Sequence, residues 1–250
     1  MPDEPEFPAA PATGRHDGDV AVLSPDNFAD AEPAARLPAR AHQFDNMAQQ
    51  TEAAHLGMWL FLCTEILFFG GLFAAYIVYR VSYPVAFAAA SRELSVVAGS
   101  IDTAILLVSS FAVALAVHAA QTGSRRLMSV LLFAGALIGG CFLLVHGYEY
   151  YHDYTEHHFP GKSFRYDGPA PDNKVQLFFV LYFCMTGLHS LHVIIGVAIL
   201  GVLGFQAWRG KFSKEYYTPV EVGGLYWHFV DIVWVFLFPL LYLIAPHTTH

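Results

Sequence analysis

Residues 54–79 read AHLGMWLFLCTEILFFGGLFAAYIVY, twenty-six positions in which His55 and Glu65 are the only Asp, Glu, Lys, Arg or His side chains. A helix rises 1.5 Å per residue, so about 20 apolar residues cross the roughly 30 Å of a bilayer's hydrocarbon. This stretch is long enough to span with some tilt. Arg80 and then Tyr83-Pro84 end it. Four more segments have the same character: 94–120, 127–150, 175–208 and 223–244. The expected fold is therefore all-α, an integral membrane bundle of five transmembrane helices.

The composition agrees. Of the 250 residues 55% are hydrophobic and only 14% charged, against about 25% charged in soluble domains. Such a chain cannot clothe an ordinary water-facing surface. The formal net charge of -8 comes largely from the first fifty residues, and with no basic stripe to track phosphates a nucleic-acid partner is excluded. Residues 1–45 are rich in Pro, Ala and Asp without apolar periodicity, and read as a disordered or loosely docked extension ahead of a membrane domain over 46–250. They have neither a secretory signal's basic start and apolar stretch nor a transit peptide's character. Cys63, Cys141 and Cys184 lie far apart in apolar runs and read as buried thiols.

An odd number of spans places the termini on opposite sides. Arg15, Arg36, Arg40, Arg125, Arg126, Arg209, Lys211 and Lys214 fall on one side, and Arg80, Arg92, Lys162, Arg165 and Lys174 on the other. The excess of basic residues on the first side sets the N-terminus inside and the C-terminus outside. The loop over 151–174 is the longest connection, a length that often marks a binding surface.

Ionisable groups inside a bilayer cost about 2.5–3.5 kcal/mol each on insertion scales, so each needs a reason. Glu65 lies roughly 15 Å from the inner end of its span, His189 and His192 roughly 20 Å, His228 and Asp231 roughly 9 and 13 Å. Three spans thus offer polar groups at compatible depth, and the expectation is one internal acid-imidazole cluster with Glu65 bonded to an imidazole or held neutral. Such a cluster serves either as glue between helices, the commoner case, or as a proton-linked site. Both readings stay open.

A second group, His146, Glu149 and His152, lies at the outer end of the third span. Its residue types suit zinc or iron, but the HExxH spacing is missing and Tyr148, Tyr150, Tyr151 and Tyr154 mark an aromatic interface where His is common. No metal is expected there. His189-x-x-His192 has no third ligand, and no catalytic residue is assigned. Glycines along the spans read as packing positions. Trp59, Trp227 and Trp234, with His55, are expected to contact lipid or a partner.

Taken together, the first-span residues from His55 through Trp59, Thr64 and Glu65 to Phe69, His146 and Glu149 in the third, Thr186-Gly187, His189, His192 and Gly196 in the fourth, and Tyr226-Trp227-His228 with Asp231 and Trp234 in the fifth resemble the signatures of subunit III of the haem-copper terminal oxidases. The resemblance covers about residues 55–242. It implies a core subunit without a redox centre of its own, beside a subunit I that carries haem and copper and a subunit II that carries the electron-entry copper where one exists. It further implies bound phospholipid, support of proton uptake, a bacterial plasma membrane, and Glu65 in the place of the family's carbodiimide-reactive carboxylate. The full-length pattern has seven spans; here the first two are missing, so a lipid cleft cannot close within the chain. The electron donor, cytochrome c or quinol, is not readable from these motifs. An accessory protein of nitric oxide reductase is a more distant alternative. A proton channel or transporter relaying through Glu65 is the alternative from another class, though no inverted repeat supports it.

Overall fold

The computed structural model describes residues 43–243 except 45, 162, 163, 167 and 169. Six helices follow in order: α1 Met47–Ser82, α2 Pro84–Glu93, α3 Val96–Thr122, α4 Arg125–Thr155, α5 Asp172–Trp208 and α6 Thr218–Tyr242. All but α2 are long and apolar enough to cross a membrane. The fold is all-α with five spans; among the described residues the only β pairing is an isolated bridge between Ser213 and Tyr216. The Pro-rich extension lies almost wholly outside the described residues.

Polar signals fix the helix ends where hydropathy alone does not. Asn46 caps α1, its side chain accepting from the Gln49 N–H at 2.7 Å, so α1 begins well ahead of its apolar stretch. Pro84 opens α2 at a position where its missing N–H costs nothing. The Ser95 hydroxyl accepts from the Ala98 N–H at the start of α3. Gly123 ends α3 at φ 80°, in the left-handed region that glycine enters without penalty. The α3–α4 turn is therefore tight, and the two helices run back against each other.

α3, α4, α5 and α6 form a closed ring of neighbours, while α1 leans on α5 and α6 and α2 lies across the end of α5. Ring contacts are close because small residues face each other. The Ser109 hydroxyl donates to the Gly135 carbonyl at 2.8 Å, and that of Ser129 to the Gly204 carbonyl at 3.0 Å. The Trp227 indole wedges between Gly139 and Gly196, where any added Cβ would lie 2.4 and 2.6 Å from its ring carbons. Trp227 and Trp234 are both buried. This corrects the expectation that they touch lipid or a partner: their side chains fill the interior of the helix ring, and of the three only Trp59 faces outward. The three cysteines also depart from expectation, since all are exposed on the bundle's outer surface. In a lipid-facing helix an apolar neighbourhood in sequence does not mean burial in protein.

α1 is attached differently. Its buried residues are Leu62, Phe69 and Tyr76, one every seventh position, which draws a single narrow seam along the helix. Cβ atoms added at Gly57, Gly70 or Gly71 would meet nothing within 4 Å.

Candidate functional site

The intramembrane polar residues do not form the one cluster their common depth suggested. They form three groups, because helix rotation sends them toward different neighbours.

In the first, Glu65 on α1 meets His192 on α5, Oε2 to Nε2, at 3.2 Å. The other ring nitrogen, Nδ1, lies 2.8 Å from the Leu188 carbonyl. A carbonyl only accepts, so Nδ1 carries a proton, and Nε2 is protonated or bare according to the state of the carboxyl. A hydrogen bond across the pair then needs one proton, held either by the imidazole or by Glu65, and in both cases the pair is neutral overall. Phe69 sets its edge on the imidazole with centroids 5.3 Å apart, and the Tyr226 hydroxyl donates to the His192 carbonyl at 3.1 Å. The pair is partly exposed, on the wall of an apolar cavity of about 600 Å³ that Met58, Phe61, Ile195, Leu203 and Tyr226 also line.

The second group joins α3 to α6. The Ser110 hydroxyl lies 2.6 Å from His228 Nδ1 and also faces the buried Asp231 carboxyl. Nearby the Trp234 N–H donates to the Thr103 hydroxyl at 3.1 Å.

The third lies toward the end of the bundle that carries α2. His146 Nδ1 stands 3.6 Å from Asp102 Oδ2 and 3.4 Å from Glu149 Oε2. The Tyr242 hydroxyl donates to Glu149 Oε2 at 2.8 Å, with the Tyr182 hydroxyl 3.3 Å from it. His189 belongs to this side of α5, not to the side of His192. It is fully buried and stacked on Trp234 at 5.2 Å, with Phe142 edge-on at 5.5 Å.

His146 and Glu149 thus come together as their spacing suggested, while His152 turns outward and is exposed. Asp102 takes the third place. Its signal was present in the sequence: an acid eight positions into the second span needs a reason as Glu65 does. Asp153, a second buried carboxyl on α4, and the hydroxyls of Ser110, Tyr182 and Tyr242 were also missed; only the packing reveals them. His55 pairs with Glu221 on α6 at 3.4 Å. His189 and His192 do not converge on one ligand, since one is enclosed by rings and the other is engaged by α1.

The family described as Cytochrome c oxidase subunit III matches residues 41–245. The chain is 32% identical to Cytochrome c oxidase subunit 3 of Thermostichus vulcanus over 202 residues, covering 80% of this chain and 92% of that one. It is 31% identical to the probable cytochrome c oxidase subunit 3 of Nocardia farcinica, over 85% and 96% of the two chains. It is also 29% identical to the Cytochrome bo(3) ubiquinol oxidase subunit 3 of Pseudomonas aeruginosa, over 82% and 91%. The match runs through all five spans and the residues of all three polar groups. With five spans and bacterial relatives of this kind, it is a multi-pass plasma-membrane protein and a subunit of a haem-copper oxidase complex. The chain belongs to the cytochrome c oxidase subunit III family.

Proposed function

We propose that the chain packs on subunit I of a proton-pumping oxygen reductase of the cytochrome c type, holds lipid along the α1 seam and supports proton uptake during oxygen reduction. Haem and copper then reside in subunits I and II, and this chain supplies no catalytic centre. The observation that carries the reading is the Glu65–His192 pair on the wall of an apolar cavity. A pair that shares one proton can shift it between carboxyl and imidazole at constant net charge, so a proton can move across the pair without leaving an uncompensated ion in hydrocarbon. The cavity walls are almost entirely apolar, which suits an acyl chain. Arg125, Arg209 and Lys214 gather at one end of the bundle, where Arg125 reaches Gly210 and Lys214 covers Gly123; that favours this end facing inward. Subunit II would complete the complex around subunit I.

The test is Glu65→Gln in the assembled complex. The amide keeps shape and hydrogen bonding and removes ionisation. Expected are a slower oxygen-uptake rate or a shorter catalytic lifetime at full assembly and unchanged haem content. Unchanged rate, lifetime and pumping would reduce the pair to helix glue. The relative from Pseudomonas aeruginosa favours a second reading, the same role in a quinol oxidase; comparing reduced cytochrome c with quinol as electron donor to the purified complex separates the two.

A further inference from the structure

Asp102, His146 and Glu149 are 0%, 2% and 7% exposed, and one ligand atom from each lies within 4.8 Å of the other two. Neither oxygen of Asp102 and neither nitrogen of His146 makes a hydrogen bond, and Glu149 Oε1 makes none either. Two carboxyls therefore face one imidazole, at 3.4 and 3.6 Å, across separations too long for good hydrogen bonds. Among the described residues no lysine or arginine forms an ion pair with either acid. Asp153 adds a further buried carboxyl nearby, and its Oδ2 also has no partner.

Those separations have a simple explanation in coordination chemistry. Zinc binds carboxylate oxygen and imidazole nitrogen at about 2.0–2.1 Å, and a tetrahedron with such bonds has edges of about 3.3 Å. The two edges that meet at His146 Nδ1 are close to that value, and the third, between the carboxylates, is within 4.8 Å. The charge also balances, because two carboxylates and a neutral imidazole around a divalent cation are neutral overall, whereas without it neutrality requires at least one of the acids to stay protonated. We infer that Asp102, His146 and Glu149 form a binding site for a redox-inert divalent cation of the zinc class, joining α3 to α4. Calcium and magnesium are poorer candidates, since they take six or more oxygen ligands and this set offers one nitrogen and two carboxylates. Tyr242 fixes Glu149 from α6 through its 2.8 Å hydrogen bond, the outer support that ligating carboxylates generally have. The cation would link three of the four ring helices near one end of the bundle. This inference does not depend on the role proposed for Glu65.

The test is the zinc content of the full-length chain, purified in mild detergent and washed with chelator. One zinc per chain is expected in the parent and in His152→Gln, whose exposed imidazole controls for casual binding, and less than about a tenth of that in Asp102→Asn and His146→Gln. X-ray absorption at the zinc edge of the parent should show one imidazole among oxygen donors, a readout that needs no variant to fold. A folded parent that holds no zinc, zinc kept by both site variants when they fold, or a shell with two or more imidazoles would each overturn the assignment.

Discussion

The closed ring of α3 to α6 and the leaning helix α1 are built from similarly apolar sequence yet packed in opposite ways. Thirteen of the 25 residues of α6 are buried, against three of the 36 of α1. In the ring, glycine and serine let backbones approach and a tryptophan fills the gap between glycines; along α1, glycines face open space. Lipid tails are as apolar as leucine, so hydropathy gives a helix no reason to prefer protein over lipid. Shape and polar contacts make the difference, and they concentrate in the ring.

The largest expected effect tests that contrast directly. Trp227→Ala empties the wedge between Gly139 and Gly196 and should lower the unfolding free energy of the purified chain by about 3–5 kcal/mol. Leu67→Ala on α1, where Leu67 is 77% exposed, should change it by no more than about 0.5 kcal/mol. Denaturant titration followed by circular dichroism gives both numbers, and comparable losses at the two sites would end the distinction.

A smaller effect sharpens it. Ser110→Ala removes the hydroxyl between α3 and α6 and leaves His228 without its 2.6 Å partner, which should cost about 1–3 kcal/mol. By the same titration, removing the Thr51 hydroxyl, which reaches Thr218 between α1 and α6 at 3.2 Å, should cost less because that contact is longer and neither threonine is buried, whereas Ser110 is. A larger loss at Thr51 than at Ser110 would show that α1 is held more by polar ties than by its seam.

The smallest effect lies outside the spans. His158 stacks on Phe179 with centroids 5.0 Å apart. Burial lowers its proton affinity, Glu93 and Glu156 oppose that, and His152 adds to it. In the folded chain His158 thus stays neutral to lower pH than in the unfolded one, so the unfolded state binds more protons below the ordinary value of about 6.5 and native stability falls as pH drops through that region. Hydrogen exchange in residues 157–166 should quicken modestly, relative to its intrinsic rate, between about pH 7.5 and 5.5, and His158→Phe should flatten the change. A profile unaltered by that substitution would place the sensitivity elsewhere.

The five spans and the similar depth of Glu65 and His192 were legible in the sequence, because length and depth follow from residue counting, but which imidazole Glu65 meets was not. Rotation about the helix axis was not. His189 and His192 are three positions apart, only about 60° around a helix, yet one faces Trp234 and the other α1. A helix with apolar residues all around offers no amphipathic face from which to read that angle. For the same reason Trp227 and Trp234, placed at the surface by composition, turn out to be interior. Asp102 is another matter: its cost in a span was readable, but its partners on α4 were not.

α1 is tied at both ends. His55 and Thr51 reach α6 at one end; at the other the Tyr76 hydroxyl donates to the Leu240 carbonyl at 2.8 Å and the ring packs on Phe87 of α2. Between the ties lies the cavity beside Glu65 and His192. In mechanical terms α1 is a beam pinned at its ends and held between them only by a narrow seam through Leu62 and Phe69 and by the Glu65–His192 contact. Whatever fills the gap loads the beam sideways, and a displacement at mid-length changes the Glu65–His192 separation before it strains either pin.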